Sequence, residues 1–260
     1  MSEKAKIILC GCLGRMGTAI SNMVAAAPDM EIVLGVDGFY SGESHPYPVR
    51  SSIKDAPVSA DVIISYLRPT DSDGTKALLD FSVKNKTPIL ICTTGLSPEV
   101  EAEIANAAKE TAIFYSGNMS LGINVLTHIL KNVSRLLYES NFDIELVEKH
   151  HNKKLDAPSG TALMLVNAIK EAVDSPLQTV TDRSSAFAER AHNEIGVSAV
   201  RGGNIIGEHS VIFAGQNETI EITHAAQSRD VFADGTLKAA KFMCGKPPGL
   251  YTMQDLINSY

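Results

Sequence analysis

The sequence predicts an α/β chain with a doubly wound parallel sheet in front and a second α+β domain with a mixed sheet behind it. Three observations lead there. Buried-type apolar runs alternate with helix-period segments over residues 1–120, a pattern that parallel sheets produce. A glycine turn joins the first apolar run to the first helix, which makes the front sheet Rossmann-type. Beyond Tyr138 strand-like runs follow one another with a hairpin between the last two, a different topology. The expected organisation is a dinucleotide-binding domain over 1–120, a second domain over 121–228, and a segment over 229–260 that returns to the first domain.

A chain of 260 residues, 44% hydrophobic and 20% charged, can bury a substantial core. Its net charge of −7 argues against general binding to nucleic acid or to anionic membrane, so an anionic metabolite needs a local basic cluster. The N-terminus enters a strand within a few residues and no apolar run approaches the ~20 residues that span a bilayer, so a cytoplasmic protein is expected. Cys10, Cys12, Cys92 and Cys244 lack metal-ligand spacing, and no metal site is expected. Cys10 and Cys12 are expected on one face of a strand.

Taken in order, Lys6 to Cys10 is a buried strand and Gly11-Cys12-Leu13-Gly14-Arg15-Met16-Gly17 a turn into a helix reaching Ala27. The glycines let backbone approach a ligand and let helix pack on strand. A second strand, Glu31 to Val36, ends at Asp37, where a carboxylate accepts adenosine ribose hydroxyls. No basic side chain follows Asp37 directly, so NADH is the preferred cofactor expected and NADPH a possible one. Ala60 to Tyr66 and Pro88 to Cys92 are further buried strands, with Thr70 expected to cap the helix from Asp71 and Ser97-Pro98 to open the helix from Glu99. Ala112 to Tyr115 is a short strand. The strand ends at Gly11, Asp37, Tyr66, Thr93 and Asn118 are expected to line one crevice.

Leu121 to Tyr138 carries apolar residues at helical period, and Val197 to Val200, Glu208 to Ala214 and Thr219 to His224 read as strands. Gly215-Gln216-Asn217-Glu218 joins the last two. His209 and His224 read as structural, and Arg183 to Glu194 as mobile or helical. Asp230 to Cys244 is an amphipathic helix.

The densest basic cluster lies in Glu148-Lys149-His150-His151-Asn152-Lys153-Lys154-Leu155-Asp156-Ala157-Pro158-Ser159-Gly160-Thr161, between a strand and a helix start. A helix N-terminus offers free backbone N–H groups to an anion, and lysines and histidines beside it suit a small anionic substrate and proton transfer.

These residues carry a resemblance to the 4-hydroxy-tetrahydrodipicolinate reductase (dihydrodipicolinate reductase) family. HHNKKLDAPSGTAL is similar to that family's HHxxKxDAPSGTA signature, and GCLGRMG to its GxxGRMG turn; TTG at Thr93–Gly95, NMS at Asn118–Ser120, VRGGNIIGEHSVIF and EITHAAQSR also fit, essentially end to end. The resemblance implies a two-domain, usually tetrameric reductase, with 121–228 as its substrate-binding, catalytic and oligomerisation domain. It reduces 4-hydroxy-tetrahydrodipicolinate to tetrahydrodipicolinate with loss of water, in diaminopimelate and lysine biosynthesis. His150 is implied as proton donor and Lys154 as catalytic lysine, with His151, Ser159, Gly160, Thr161 and Arg229 on a small dicarboxylate substrate. The cofactor is implied at Gly11, Cys12, Leu13, Gly14, Arg15, Met16, Asp37, Cys92, Thr93, Thr94, Gly117, Asn118, Met119 and Ser120, with Tyr66 and Arg68 near the nicotinamide. Gly38 stands where many relatives have arginine, against strong NADPH use, and Cys92 where glycine is common. Two other readings share the first domain: a different nicotinamide-dependent imine or carbonyl reductase, and a non-catalytic NADH-sensing module. A sensor would have no need of His150, Lys154 and the Ser159-Gly160-Thr161 start together.

Overall fold

A computed structural model describes residues 4–54, 56, 59–184 and 187–260. The chain divides into two compact units, one formed by residues up to Leu121 together with Asp230–Tyr260, the other by Gly122–Arg229. The elements run β1 (Ala5–Cys10), α1 (Arg15–Ala26), β2 (Met30–Val36), β3 (Val49–Arg50), β4 (Val62–Ser65), α2 (Ser72–Asn85), β5 (Ile89–Ile91), α3 (Pro98–Ala107) and β6 (Ala112–Tyr115). Then follow α4 (Leu121–Glu139), β7 (Asp143–His150), α5 (Gly160–Ala172), β8 (Gln178–Val180), β9 (Glu194–Arg201), β10 (Glu208–Ala214) and β11 (Thr219–Ala225). The last are α6 (Asp230–Met243), β12 (Gly249–Tyr251) and α7 (Met253–Ile257).

In the first unit seven strands form one sheet in the order β12-β6-β5-β4-β1-β2-β3, with every pair parallel. Ile7, Ile8, Leu9 and Cys10 have no exposed surface, because a parallel strand is covered on both faces. Ile7 and Leu9 pack with Ile20 and Val24 of α1 and Ala240 of α6. Ile8 and Cys10 pack with Leu78 of α2 and Ile104 of α3. The chain crosses from one side of β1 to the other between β2 and β4, and that switch leaves a crevice beyond the strand ends.

Three expectations need correction here. Cys10 and Cys12 enter cores on opposite sides of the sheet, since the strand ends at Cys10 and Gly11, at φ +78°, turns the chain before Cys12. The cap of α2 is Asp71, not Thr70: its carboxylate accepts the Gly74 N–H at 2.9 Å. The stretch from Arg183 to Glu194 holds no helix among the described residues, and Ser185 and Ala186 lie outside them. Its Arg190 donates to the carboxylates of Asp143 and Glu145 at 2.7 and 2.9 Å. Glu194 already belongs to β9, three residues ahead of the expected strand start.

In the second unit five strands run β11-β10-β7-β9-β8, antiparallel at β10 and parallel elsewhere, so the sheet is mixed. The Gly215 N–H closes the β10–β11 hairpin on the Glu218 carbonyl at 2.9 Å. Along β7 burial alternates strictly, with Ile144, Leu146, Glu148 and His150 on the covered face. Leu126 and Leu130 of α4 and Leu165 and Ile169 of α5 belong to the same core. Two ionisable side chains thus continue an apolar row.

Candidate active site

At the first site, β1 delivers the chain to Gly11, whose N–H reaches the Val36 carbonyl at 2.8 Å. A Cβ at Gly11 would stand 2.8 Å from the Tyr66 carbonyl oxygen, and one at Gly17 would stand 2.2 Å from the Gly11 oxygen. Both positions need glycine for close approach. Asp37 is buried, and its carboxylate accepts the N–H groups of Leu13 at 3.0 Å and Phe39 at 3.1 Å. The acid therefore locks the glycine turn to the end of β2, with lone pairs remaining for hydroxyl donors.

A cavity of about 530 Å³ opens at this point, lined by Gly11, Leu13, Gly14, Asp37, Tyr66 and Arg68, together with Gly38, Phe39, Leu67, Thr70 and Asp71. The Arg68 guanidinium lies 4.9 Å from the centroid of the exposed Phe39 ring. Other proposed cofactor residues stand apart from this lining. The Cys12 side chain is buried in the core, Arg15 is exposed and Met16 packs against the core. Cys92 is also buried, and Thr93 donates to the Leu67 carbonyl at 2.8 Å. Thr94 and Gly117 are neighbours, 3.5 Å from the Thr94 methyl to a Cβ built on Gly117. Ser116 and Asn118 fold their loop through mutual bonds, while the Met119 carbonyl sits where only a glycine, Gly235 of α6, can pass. The Tyr66 hydroxyl bonds Thr236 of α6 at 2.6 Å, and burial pushes the phenol far above its ordinary range.

At the second site, the buried row of β7 ends in Glu148 and His150. The Arg201 fork donates Nη1 to Glu148 Oε2 at 2.7 Å and Nη2 to Oε1 at 2.6 Å. His150 Nδ1 meets Oε2 at 2.5 Å, and the Ser159 N–H donates to Oε1 at 3.0 Å. Burial would raise the Glu148 carboxyl, but Arg201, His150 and the Ser159 amide outweigh it and hold it below the ordinary range. His150 is lowered, chiefly by burial, with Lys154 and Arg201 adding to the effect and Glu148 opposing it. His209 lies edge-on to His150 at 5.2 Å between centroids; burial, then the charge of His150, pushes it down to about 4.

The loop after β7 carries the remaining proposed residues. Lys154 pairs with Asp156 at 2.9 Å, and this ion pair holds the Asp156 carboxyl below its ordinary range. Across the cis Ala157–Pro158 bond the chain reaches Ser159, whose hydroxyl caps α5 by accepting the Ala162 N–H at 3.1 Å. The Gly160 N–H faces the Asp156 carboxylate, and a Cβ at Gly160 would meet nothing within 4 Å. The protein's own carboxylates thus take up helix-start amides expected to await a substrate, while the space beside Gly160 stays open. Thr161 is half-buried on the first turn of α5, and His151 keeps its Nδ1 buried without a partner. Arg229 is exposed at the last residue of the second unit. Among the described residues no group of three or more His, Cys, Asp or Glu could hold a metal ion, and no helix is long and apolar enough to cross a membrane.

Residues 5–119 match the family model described as Dihydrodipicolinate reductase, N-terminus, and residues 122–257 the model described as Dihydrodipicolinate reductase, C-terminus. The chain belongs to the dihydrodipicolinate reductase family. A 4-hydroxy-tetrahydrodipicolinate reductase of Clostridium novyi (strain NT) is 48% identical over 255 residues, 98% of each chain. One of Caldanaerobacter subterraneus is 47% identical over 254 residues, covering 97% of this chain and 98% of the other. The solved structure of dipicolinate-bound dihydrodipicolinate reductase from Paenisporosarcina sp. TG-14 has the same fold, with a TM-score of 0.81 over 96% of this chain and 97% of that one at 20% identity.

Within this reductase fold, sequence reasoning passed over Glu148, Arg201 and the placement of His209. Their signal was partly there. Alternation along β7 puts a glutamate and a histidine on an otherwise apolar face, which is where a paired buried group belongs. Arg201 stands opposite His150, and His209 opposite Glu148, only through the β7–β9 and β7–β10 registers. His209, read as structural from its spacing, lies against the reductase's proposed donor.

Proposed function

We infer that this chain reduces 4-hydroxy-tetrahydrodipicolinate to tetrahydrodipicolinate with a nicotinamide cofactor, on the route to diaminopimelate and lysine. The observation that carries the reading is a histidine seated on a buried Glu148–Arg201 pair beside Lys154 and the start of α5, in a chain of this family. The reaction adds one hydride and one proton to the substrate ring and releases one water. His150 provides the proton, an imidazole being able to act as acid near neutral pH. Lys154 offers a fixed positive charge to a substrate carboxylate and to the negative charge that develops on the ring. His151, Ser159, Gly160, Thr161 and Arg229 line the dicarboxylate; with the Ser159 and Gly160 amides facing Glu148 and Asp156, the open side of Gly160 gives it room rather than donors.

The first unit fits a dinucleotide. Its glycine turn brings backbone to the cavity without side chains in the way, and exposed Leu13 and Phe39 offer apolar surface to a base. Bound there, the cofactor supplies the hydride. Gly11, Cys12, Leu13, Gly14, Arg15 and Met16 then face it through the turn, with Asp37 on the ribose and Cys92, Thr93, Thr94 and Gly117–Ser120 along the strand ends. Tyr66, fixed by Thr236, and Arg68, stacked on Phe39, shape the same cavity. Asp37 disfavours a ribose 2′-phosphate by charge and Gly38 brings no cation, so NADH is preferred. The family resemblance also implies a homotetramer, and the half-exposed face of the second sheet leaves surface for it. A cytoplasmic location completes the proposal.

The test follows NADH and NADPH oxidation with substrate generated from pyruvate and aspartate semialdehyde. Turnover is expected with both, kcat/KM favouring NADH by roughly tenfold or more, since like-charge juxtaposition costs several kcal/mol. Absence of turnover with either cofactor sinks the proposed reaction, and an NADPH preference sinks the Asp37 and Gly38 reasoning.

A further inference from the structure

We propose that Glu148, clamped by Arg201, is a positioning residue that fixes the tautomer of His150 and so assigns the transferred proton to Nε2. This rests on the reading of His150 as the proton donor. Glu148 is fully buried and its two oxygens take four donors: both Arg201 Nη groups, the Ser159 amide and His150 Nδ1. Such a carboxylate is ionised and has only lone pairs to offer, so Nδ1 must carry hydrogen whether the imidazole is neutral or charged. Only Nε2 titrates.

A Cβ at Gly207 would come within 3.1 Å of Nε2, so the glycine before β10 keeps a side chain off that nitrogen. The groups facing the ring are Glu148 on β7, Lys154 in the following loop, Arg201 at the end of β9 and His209 on β10. His209 stays neutral near neutral pH and adds no repulsion, leaving Lys154 and Arg201 to favour release of the proton and Glu148 to favour its retention. In the step itself the electron pair left on the substrate ring after hydride addition takes the Nε2 proton and forms a C–H bond. The N–H pair stays on Nε2 as a lone pair, Nδ1–H remains on Glu148, and solvent reprotonates Nε2 afterwards.

Nitrogen-15 NMR of the wild-type protein above the His150 pKa reads the tautomer directly, the resonance being assigned by its loss in His150→Gln. The Nδ1–H form is expected, and the Nε2–H form overturns the proposal. Glu148→Gln gives the kinetic counterpart. Gln can pair with either tautomer and bears no charge, so kcat should fall roughly 10- to 100-fold with KM little changed, on the scale of losing an orienting partner. Because a carboxylate that raises the His150 pKa is gone, and activity requires the protonated ring, the alkaline limb of the kcat profile should move to lower pH. Glu148→Asp should recover part of both. Wild-type kcat in a folded Glu148→Gln, or a fall in kcat with the limb in place, overturns the positioning role, and if the variant fails to fold the tautomer measurement decides. Full turnover in His150→Gln would instead remove the donor reading beneath it.

Discussion

The two strand-to-helix junctions, β1 into α1 and β7 into α5, solve the same local problem with opposite materials. At the first the turn is backbone and glycine: Gly14 starts the helix without any side-chain cap, and the one carboxylate, Asp37, serves to tie the turn to β2. At the second the helix start is filled by side chains: Ser159 caps it, and Glu148 and Asp156 take its amides. A backbone-built turn is sensitive above all to added volume. A site built from buried ionisable side chains is sensitive as well to pH, because its geometry depends on which groups carry charge.

The largest expected effect breaks the first junction by volume alone. Gly17→Ala puts a methyl 2.2 Å from the Gly11 oxygen and 2.6 Å from the Cys12 backbone, so the turn must move. NADH affinity should weaken at least about 100-fold, roughly 3 kcal/mol of overpacking, as read by fluorescence titration. A Kd within twofold of wild type would show that the turn is not the backbone cradle described. Next, His150→Gln should lower kcat by roughly 10²-fold and leave the NADH Kd unchanged, separating the two junctions kinetically. A parallel loss of cofactor affinity would erase the separation. The smallest effect concerns pH and His209. Its folded-state pKa of about 4 lies below the unfolded value near 6.5, so the unfolded chain binds the extra proton and stability falls as pH drops through that window. Between about pH 7 and pH 5 this amounts to about 2 kcal/mol. Urea unfolding of His209→Gln should show a correspondingly flatter acid slope, and an unchanged slope would assign the acid sensitivity elsewhere.

The fold class was legible because hydrophobic patterning is a local record of a global arrangement. Ile7 to Cys10 reads as a strand covered on both faces and is one, and the Gly215–Glu218 hairpin reads correctly from its turn residues. The short strands β3, β8 and β12, unlike the equally short but wholly apolar β5, carry too few apolar positions to stand out; they exist because a neighbouring strand offers an edge. The Cys10 and Cys12 expectation failed because alternation holds only while φ stays extended, and Gly11 does not. In the candidate site the same division recurs. The glycine turn and the His150–Thr161 loop are contiguous in sequence and so stand out as motifs. The Arg201 fork on Glu148 joins residues 53 positions apart, and no spacing within one segment announces it.

The Tyr66–Thr236 hydrogen bond links residues 170 positions apart. Around it α6 threads Gly235 past the Met119 carbonyl, and β12 pairs with β6 at the sheet edge. A wall of the first cavity therefore depends on chain made long after the rest of that cavity. As the polypeptide leaves the ribosome, β1 through β6 emerge early and must wait, with the surface that α6 will cover still uncovered, while the whole second unit is synthesised. The first unit, begun first, is completed only by residues 230–260, which are made last.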